Sequence, residues 1–335
     1  MLEREINVNI FLRNPNKLGN FSLEIFYDEL YKELNNQLNI NIVKVPYKNK
    51  GIFRRLLNII FCFFNQTDIN HIIGDISYCS LLMKKSNLIL TILDCVSLHK
   101  KNGLKKLLLK FFLFKMPVNK ASKIITISDA TKNDLERFLN KKIKNCYTIP
   151  VTVSSSFFNQ KLEITKSKFN YRYLMIGTAP NKNIERVSMA LEGVKGELTI
   201  IGKLNNSQKD QLIKSKINFK EHSYALTEEQ IITKYKETDI LIFPSTLEGF
   251  GMPIIEANLI GVCVLTSNIS SMPYVSNNAA VLVDPFDVKS IRTGILKIIN
   301  DQEYRKSLII NGFRNARRFE INKIASQHKE LYYQS

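Results

Sequence analysis

The chain has 335 residues, of which 44% are hydrophobic and 23% charged, a balance that is typical of folded globular proteins and excludes a disordered chain. Its formal net charge of +18 predicts an anionic partner: a nucleic acid, a membrane surface or a phosphorylated substrate. Five cysteines without CxxC or CxxH spacing argue against a disulfide framework or a zinc finger, and no apolar run reaches the roughly 18 residues that a membrane span needs. The first residues lack the basic-then-apolar order of a signal peptide, so we expect a cytoplasmic protein with reduced thiols.

Short apolar runs alternate with helical patterns through the first 150 residues. This alternation predicts βαβ units and a parallel sheet, on which ligands bind in the loops at the carboxyl ends of the strands. The predicted strands are residues 6–11, 40–45, 69–72, 88–92, 123–127 and 146–149.

Several polar residues follow the strands of this first series. Gly19 and Asn20 come after the first strand, His71 and Asp75 lie at the end of the third, and Asp94 follows the fourth. Loops at the carboxyl ends of strands are where ligands of such sheets bind. His71 could hydrogen-bond a ligand hydroxyl, but a structural histidine at a strand end is an equally good interpretation.

Two stretches in this half, residues 44–64 and 99–115, combine Lys and Arg with Leu and Phe. From Lys100 to Lys123 there are eight lysines and no acidic residue. Basic amphipathic helices of this kind lie on anionic bilayers. We interpret the apolar faces as core that covers the sheet, and the lysines as a weak electrostatic contact with an anionic membrane.

A second strand–helix series follows a stretch without periodicity. Residues 151–169 form the predicted linker, since they contain three consecutive serines and mixed polarity. The chain therefore divides into residues 1–150, this linker, residues 170–300 and a final helical segment, 301–335. The predicted strands of the second series are residues 173–177, 198–201, 239–243, 262–266 and 280–283.

Two strand-to-helix turns in the second series carry polar residues. Gly177-Thr-Ala-Pro-Asn-Lys-Asn183 joins a strand end to a helix start, and from the residues alone its Lys182 is a solvated turn lysine. Val264-Leu-Thr-Ser-Asn-Ile-Ser-Ser-Met-Pro-Tyr274 is a hydroxyl-rich strand-to-helix loop. Its Ser270 either donates to a phosphate or caps the following helix.

The central stretch is Phe243-Pro-Ser-Thr-Leu-Glu-Gly-Phe-Gly-Met-Pro-Ile-Ile-Glu-Ala257, which reads as a strand end, a glycine loop and a helix opened by Pro253. Its two glycines, Gly249 and Gly251, are expected to take positive φ and to let the backbone approach a ligand. The helix start offers N–H groups and the positive end of a dipole to a phosphate. Glu256 is predicted in the first helical turn, with its carboxylate facing the same site.

The segment between Glu248 and Glu256 resembles the Glu-x7-Glu signature of the retaining GT-B glycosyltransferases of family 4, the glycosyl transferases group 1. The resemblance implies an α/β GT-B fold with two Rossmann-like parallel-sheet domains facing across a cleft. Residues 1–150 would bind the acceptor, residues 170–300 the nucleotide sugar, and residues 301–335 would pack back toward the first domain. Three positions depart from the usual pattern: Thr178 replaces an arginine, Tyr274 a glutamate and Leu93 a histidine.

The resemblance also implies roles for individual residues. Glu248 would be the catalytic-site ligand of the donor sugar, Glu256 would hold the ribose hydroxyls, and Lys182 would face the diphosphate. The remaining implied donor-site residues are Gly177, Thr178, Leu226, Gly249, Phe250, Gly251, Met252, Pro253, Ile254 and Ser270. On the acceptor side the implied residues are Gly19, Asn20, His71, Asp75 and Asp94.

The implied reaction is the transfer of a hexose, with retention, from a nucleotide-diphosphate sugar to a hydroxyl of a lipid-linked glycan in bacterial O-antigen or capsule synthesis. We expect no cofactor and no essential metal, because the chain has no Asp-x-Asp triplet and Lys182 can meet the leaving-group charge. The expected location is the inner face of the cell membrane, as a peripheral protein without a nucleic-acid partner. Three alternatives stay open: a GT-B sugar-nucleotide epimerase, a basic nucleic-acid-binding or membrane-binding protein without enzymatic activity, and an inactive relative in which Leu93 and Tyr274 mark lost function.

Overall fold

The computed structural model describes residues 6–14, 22–35, 38–100, 102–162 and 169–335. The chain forms two compact units, which we call unit 1 (Met1–Thr152 with Glu320–Ser335) and unit 2 (Val153–Phe319). Each unit contains one parallel six-stranded sheet, so the predicted α/β class with two parallel sheets is confirmed.

The helices of both units are amphipathic or short, and none in the described part of the chain combines the length and the hydropathy of a membrane span. The α-helices are α1 (Ser22–Leu34), α2 (Ile52–Phe64), α3 (Val96–Lys100), α4 (Gly103–Leu109), α5 (Met116–Lys120), α6 (Asp129–Leu139), α7 (Ser155–Phe158), α8 (Ile184–Leu191), α9 (Asn206–Lys214), α10 (Glu228–Lys236), α11 (Met252–Ile260), α12 (Met272–Ser276), α13 (Val288–Asn300), α14 (Gln302–Ala316) and α15 (Ile321–Tyr333). Segments of 3-10 helix span Gly74–Leu82 (which is kinked at Ile76), Pro180–Lys182 and Arg317–Phe319, and a π-helical turn spans Lys110–Lys115.

In unit 1 the strand order is β2-β1-β3-β4-β5-β6. The central strands β3 and β4 are buried along their whole length, which explains why both are continuous apolar runs rather than alternating ones. The strands are β1 (Asn7–Leu12), β2 (Asn39–Lys44), β3 (Ile69–Ile73), β4 (Leu88–Ile92), β5 (Lys123–Thr126) and β6 (Cys146–Thr148).

In unit 2 the order is β12-β11-β10-β7-β8-β9. Strand β9 was absent from the sequence prediction, because Phe-Lys-Glu-His is short, strongly polar and only partly buried at the edge of the sheet. The other strands begin and end within about two residues of the predicted bounds. They are β7 (Arg172–Ile176), β8 (Glu197–Ile201), β9 (Phe219–His222), β10 (Ile240–Phe243), β11 (Cys263–Ser267) and β12 (Val281–Val283).

The last helix of the chain, α15, belongs to unit 1, where it packs on α1. Two contacts attach it to the sheet: the Tyr332 hydroxyl lies 2.8 Å from Nδ1 of His71 on β3, and Nζ of Lys123 on β5 donates to the carbonyl of Leu331 at 2.9 Å. The preceding helix α14 stays in unit 2 and packs on α11. The segment 301–335, treated as one piece in the sequence analysis, is therefore divided between the units at Glu320.

Candidate functional site

The order of the strands locates a crevice in unit 2. From β7 the chain continues to β8 and β9 on one side, whereas β10, the other neighbour of β7, continues to β11 and β12 on the opposite side. Loops that leave two such strands in opposite directions open a space between them, and ligands of open parallel sheets bind there. The turn after β7 holds Gly177 to Asn183, and the loop after β10 holds Pro244 to Gly251, so two of the stretches identified from sequence meet at this point.

Lys182 ends the short 3-10 segment after β7 and reaches the loop after β10. Its Nζ donates to Oε1 of Glu248 at 2.6 Å and lies 4.5 Å from the centre of the Phe243 ring. Gly177 has φ of 87°, and a Cβ there would lie 2.9 Å from Cε of Lys182. Glycine suits this position because its φ is positive, and the stem of the lysine lies close against its Cα.

The loop that carries Glu248 is held from two sides. Asn181 Nδ2 donates to the Leu247 carbonyl at 2.9 Å and to Oε1 of Glu248 at 3.3 Å. On the other side Ser270 Oγ donates to the Glu248 carbonyl at 2.8 Å, and Ser271 Oγ donates to the Phe250 carbonyl at 2.5 Å. The serines therefore bind this loop, rather than capping the next helix as the alternative interpretation proposed. Such bonding fixes the position of the Glu248 carboxylate before any ligand is present.

The helix start after this loop differs from the expectation in three details. Of the two loop glycines only Gly251 has a positive φ, 117°, and it precedes a helix that begins at Met252, with Pro253 second. Pro253 has no N–H, and the amide of Ile254 donates to the Gly251 carbonyl at 3.0 Å. Fewer amides at this helix end are thus available to a ligand than the sequence suggested.

Glu256 lies one residue beyond the first turn of α11, not within it, and is partly buried. Its Oε2 accepts a hydrogen bond from the hydroxyl of Tyr235 on α10 at 2.6 Å. Burial raises the pKa of the Glu256 carboxyl from 4.5 to about 7, against the Tyr235 hydrogen bond, which lowers it. The negative charge of Glu228 also raises this pKa, and the positive charge of Lys182 lowers it. Glu256 is therefore a titratable acceptor within the electrostatic reach of the Lys182–Glu248 pair.

The structure also shows where four other residues named in the sequence analysis lie within unit 2. Thr178, at the position of the missing arginine, donates its hydroxyl to the Lys203 carbonyl at 2.7 Å and so ties the β7 turn to the loop after β8. Phe250 is buried with its ring 5.5 Å from that of Phe319. Leu226 is partly buried, one residue before the N-cap of α10. Tyr274 lies under the guanidinium of Arg318, 4.9 Å from the ring centre.

In unit 1 the structure brings two of the predicted acceptor-side residues to one edge of the sheet. Asp75 and Asp94 are exposed and follow the neighbouring strands β3 and β4, and Asp94 accepts from the amide of Val96 at 2.9 Å. Leu93 lies against Gly74, where a Cβ would be 2.9 Å from its Cδ1. Gly19 and Asn20 lie outside the described residues.

His71 does not face a ligand. It is fully buried, with Nδ1 2.8 Å from the Tyr332 hydroxyl and Nε2 2.6 Å from the Thr91 hydroxyl, so both ring nitrogens have partners inside unit 1. The expectation that it contacts an acceptor is corrected in favour of the structural interpretation. Burial holds the pKa of His71 well below its usual 6.5, and burial also lowers the pKa of the neighbouring His328 to about 4.

We expect acid to loosen unit 1 through these two histidines. Both are neutral when folded and titrate near 6.5 when unfolded, so the unfolded chain binds more protons as pH falls below 6.5, and stability is lost from there toward pH 4. Two such groups give a slope of up to about 2.7 kcal/mol per pH unit. Hydrogen exchange of the α15 amides at pH values from about 7 to about 4.5 measures this loss. His328→Leu should roughly halve the slope, and an unchanged slope in that variant would contradict the assignment.

Three residues of the unit 2 site were missed in the sequence analysis. Asn181 lies in the turn from Gly177 to Asn183, and the only sequence signal for its role was its position next to Lys182. Tyr235 belongs to the buried side of α10 with Ile232, a pattern that indicates core and hides the polar role of its hydroxyl. Phe243 was identified only as the end of a strand.

Metal ligands do not cluster in the part of the chain that the structure describes: no group of three His, Cys, Asp or Glu side chains there could hold an ion. The groups assembled in the unit 2 crevice are one cation, two carboxylates and the backbone of a helix start. This set can bind hydroxyl groups through the carboxylates and a phosphate through the lysine.

Residues 159–315 match a family described as glycosyl transferases group 1, a range that includes Lys182, Glu248 and Glu256. The chain is 26% identical, over 64% of its length, to the O-antigen chain mannosyltransferase B of Escherichia coli, and covers 61% of that protein. It is 32% identical, over 56% of its length, to the O-antigen chain mannosyltransferase RfbU of Salmonella typhimurium, and covers 54% of it. The chain thus spans a little more than half the length of these curated relatives.

Solved structures agree with the fold. The sucrose-phosphate synthase of Thermosynechococcus elongatus superposes with a TM-score of 0.81 at 14% identity, covering 99% of both chains. The Anabaena protein HepE, solved in complex with UDP-glucose, superposes with a TM-score of 0.77 at 13% identity, covering 99% of this chain and all of the other. The predicted GT-B fold is confirmed by these similarities.

Proposed function

We propose that this chain moves a hexose from a nucleotide-diphosphate donor to a hydroxyl of a lipid-linked bacterial glycan, with retention at the anomeric carbon. The match of residues 159–315 to the glycosyl transferases group 1 supports the proposal. The observation that carries the proposal is the Lys182–Glu248 pair at the strand-order switch of unit 2, with Glu256 close enough for its pKa to respond to Lys182. Two carboxylates and one cation match the hydroxyls and phosphates of a nucleotide sugar.

In the proposed complex Glu256 accepts hydrogen bonds from the ribose hydroxyls, and Glu248 binds the hydroxyls of the sugar. Lys182 then leaves Glu248 for the diphosphate, where negative charge develops as the glycosidic bond breaks. Lys182 and Glu248 neutralise each other in the free protein, so donor binding exchanges one ion pair for another. The diphosphate becomes the partner of Lys182, and the sugar hydroxyls donate to Glu248, so both partly buried charges keep a hydrogen-bonding partner.

The donor is tested first by thermal stabilisation with UDP-, GDP- and dTDP-linked sugars. The two curated relatives are named as mannosyltransferases, so a nucleotide-linked mannose is the first sugar to try. Turnover on lipid-diphosphate-linked oligosaccharides follows, with the anomeric configuration of the product determined by NMR. An inverted product would refute retention, and an epimeric nucleotide sugar formed without acceptor would identify the epimerase alternative.

We expect turnover to be the same in EDTA as in Mg²⁺. The physical reason is that Lys182 provides the charge that a metal provides in other transferases, and α11 adds the positive end of its dipole. Initial rates measured after chelation and dialysis, with Mg²⁺ or Mn²⁺ added back, test this expectation. A rate that is lost in EDTA and restored by metal would contradict it.

The proposed place of action is the inner face of the cell membrane, with the protein attached peripherally and no nucleic-acid partner. The support comes from the proposed lipid-linked acceptor and from the net charge of +18, which attracts the protein to anionic lipids. Co-sedimentation with vesicles and with sheared DNA, in the same buffer, distinguishes the two anionic partners.

A further inference from the structure

Helix α2 has two apolar sides, and only one of them is covered. Asn58, Ile59 and Cys62 are buried, and Asn58 donates to the Tyr78 hydroxyl of the Gly74–Leu82 segment at 3.2 Å. Apart from the buried Asn58, the polar residues of α2 are only Arg54 and Arg55, whereas the solvent side of a helix is normally polar. The uncovered side is a row of large apolar residues whose exposed fractions are high: Phe53 73%, Leu56 51%, Ile60 46%, Phe63 43% and Phe64 77%.

The second exposed row lies on α4 and the π-helical turn that follows it. Its positions repeat as i, i+3, i+4, i+7 and i+8, the spacing that normally marks the core side of a helix. The structure places this row outward, which corrects the interpretation of these apolar residues as core. The buried side instead holds Phe114, Pro117 and Val118. The row consists of Leu104 71%, Leu107 62%, Leu108 49%, Phe111 41% and Phe112 45% exposed.

Both rows are supported by the same piece of unit 1. The Gly74–Leu82 segment packs against α2 and against the π-helical turn, and Ser77 Oγ donates to the Leu113 carbonyl at 2.6 Å. Its own last residue, Leu82, is 54% exposed. The two rows and Leu82 therefore share one supporting segment, and we call them together the apolar ridge.

The charges beside the apolar ridge have one sign. There are five Lys or Arg and no acidic residue from Lys44 to Thr67, and eight lysines and no acidic residue from Lys100 to Lys123. A second copy of this chain would bring the same positive charge to the interface, which disfavours self-association through this region. An anionic bilayer offers both an apolar interior and negative headgroups.

We propose that unit 1 inserts the apolar ridge into the headgroup–acyl boundary of an anionic bilayer, with the flanking lysines and arginines paired to lipid headgroups. The inference rests on the proposed function, from which it takes the membrane as the partner, and it adds how the protein attaches to that membrane. Relative magnitudes favour insertion over electrostatic contact alone. Each basic side chain near an anionic surface contributes about 1 kcal/mol to membrane binding, and salt screens this contribution. A large apolar side chain contributes roughly 1.5–3 kcal/mol when it is fully buried, and salt does not weaken that contribution.

The absence of tryptophan from the chain makes insertion directly measurable. Phe53→Trp and Leu107→Trp place a single fluorophore on each row. Ile213→Trp places one on α9 of unit 2, where Ile213 is 65% exposed and the neighbouring Leu212 is buried, so no apolar row surrounds it. With vesicles of phosphatidylcholine and phosphatidylglycerol, the two ridge variants should show a blue shift and quenching by acyl-chain bromine. The Ile213→Trp variant should show neither.

Binding of the full chain to the same vesicles gives the second readout. Phe53→Gln with Leu107→Gln should lower partitioning by at least about tenfold, whereas Ile213→Gln should leave it unchanged. Raising the salt from about 0.1 M to about 0.5 M should weaken binding but not abolish it. Complete release by salt, or unshifted ridge fluorescence, would overturn the proposal. The proposal would also be overturned if light scattering showed a dimer that the Gln substitutions abolish, because a second copy of the chain would then cover the apolar ridge.

These measurements need neither donor nor acceptor. Failure of the insertion would leave the proposed sugar transfer standing, and loss of the proposed chemistry would leave the lipid binding unaffected.

Discussion

Lys182→Met should lower kcat for sugar transfer by roughly 10²–10³, with a smaller change in KM for the donor, because the leaving diphosphate gains negative charge mainly in the transition state. Methionine keeps the apolar stem that lies against Gly177 and removes only the ammonium group. Steady-state rates with the donor identified by thermal stabilisation provide the measurement.

The same substitution leaves Glu248 without its ion-pair partner in the free protein, so a structural effect must be separated from the catalytic one. Removal of one member of a partly buried pair destabilises more than removal of both. Lys182→Met combined with Glu248→Gln should therefore recover stability toward the parent protein without recovering kcat. If the double variant regained both, or if Lys182→Met kept kcat within threefold, the lysine would be only a structural partner.

Donor affinity should fall about tenfold between pH 8 and pH 6 through Glu256, whose pKa is raised to about 7. The ionised carboxylate accepts ribose hydroxyls well, and the protonated form does not. A carboxyl with a raised pKa is charged above that pKa, so donor binding strengthens as pH increases through 7. Calorimetric titration of the donor at several pH values measures the change.

Two variants assign this pH dependence. Glu256→Gln should weaken donor binding by roughly 10- to 30-fold at pH 8 and flatten the profile, because it exchanges charge-assisted hydrogen bonds for neutral ones. Tyr235→Phe leaves no cavity but removes the hydrogen bond that lowers the pKa of Glu256, so the midpoint of the profile should move to higher pH. A Tyr235→Phe midpoint that stays in place would show that Tyr235 does not position Glu256.

Much of the site was accessible from local sequence because it is built from short segments at strand ends. Apolar runs located β7 and β10, and the glycines and the Glu-x7-Glu spacing indicated what followed them. The pairing of Lys182 with Glu248 could not be read from sequence, since 66 residues separate them and the pair depends on β7 and β10 being neighbours. The hydroxyl of Tyr235 escaped notice for the same reason: its partner Glu256 lies on another helix.

The sequence by itself determined the two parallel sheets, the positions of most strands and the residues at the ends of β7 and β10, because these follow from local periodicity and turn chemistry. Tertiary structure alone decided which side of a helix is covered and which polar group meets which. It buried His71 between Tyr332 and Thr91, raised the pKa of Glu256 and left the apolar row of α4 uncovered. Periodicity shows that a helix has an apolar side; only the packing of other elements decides whether that side meets protein or is left uncovered.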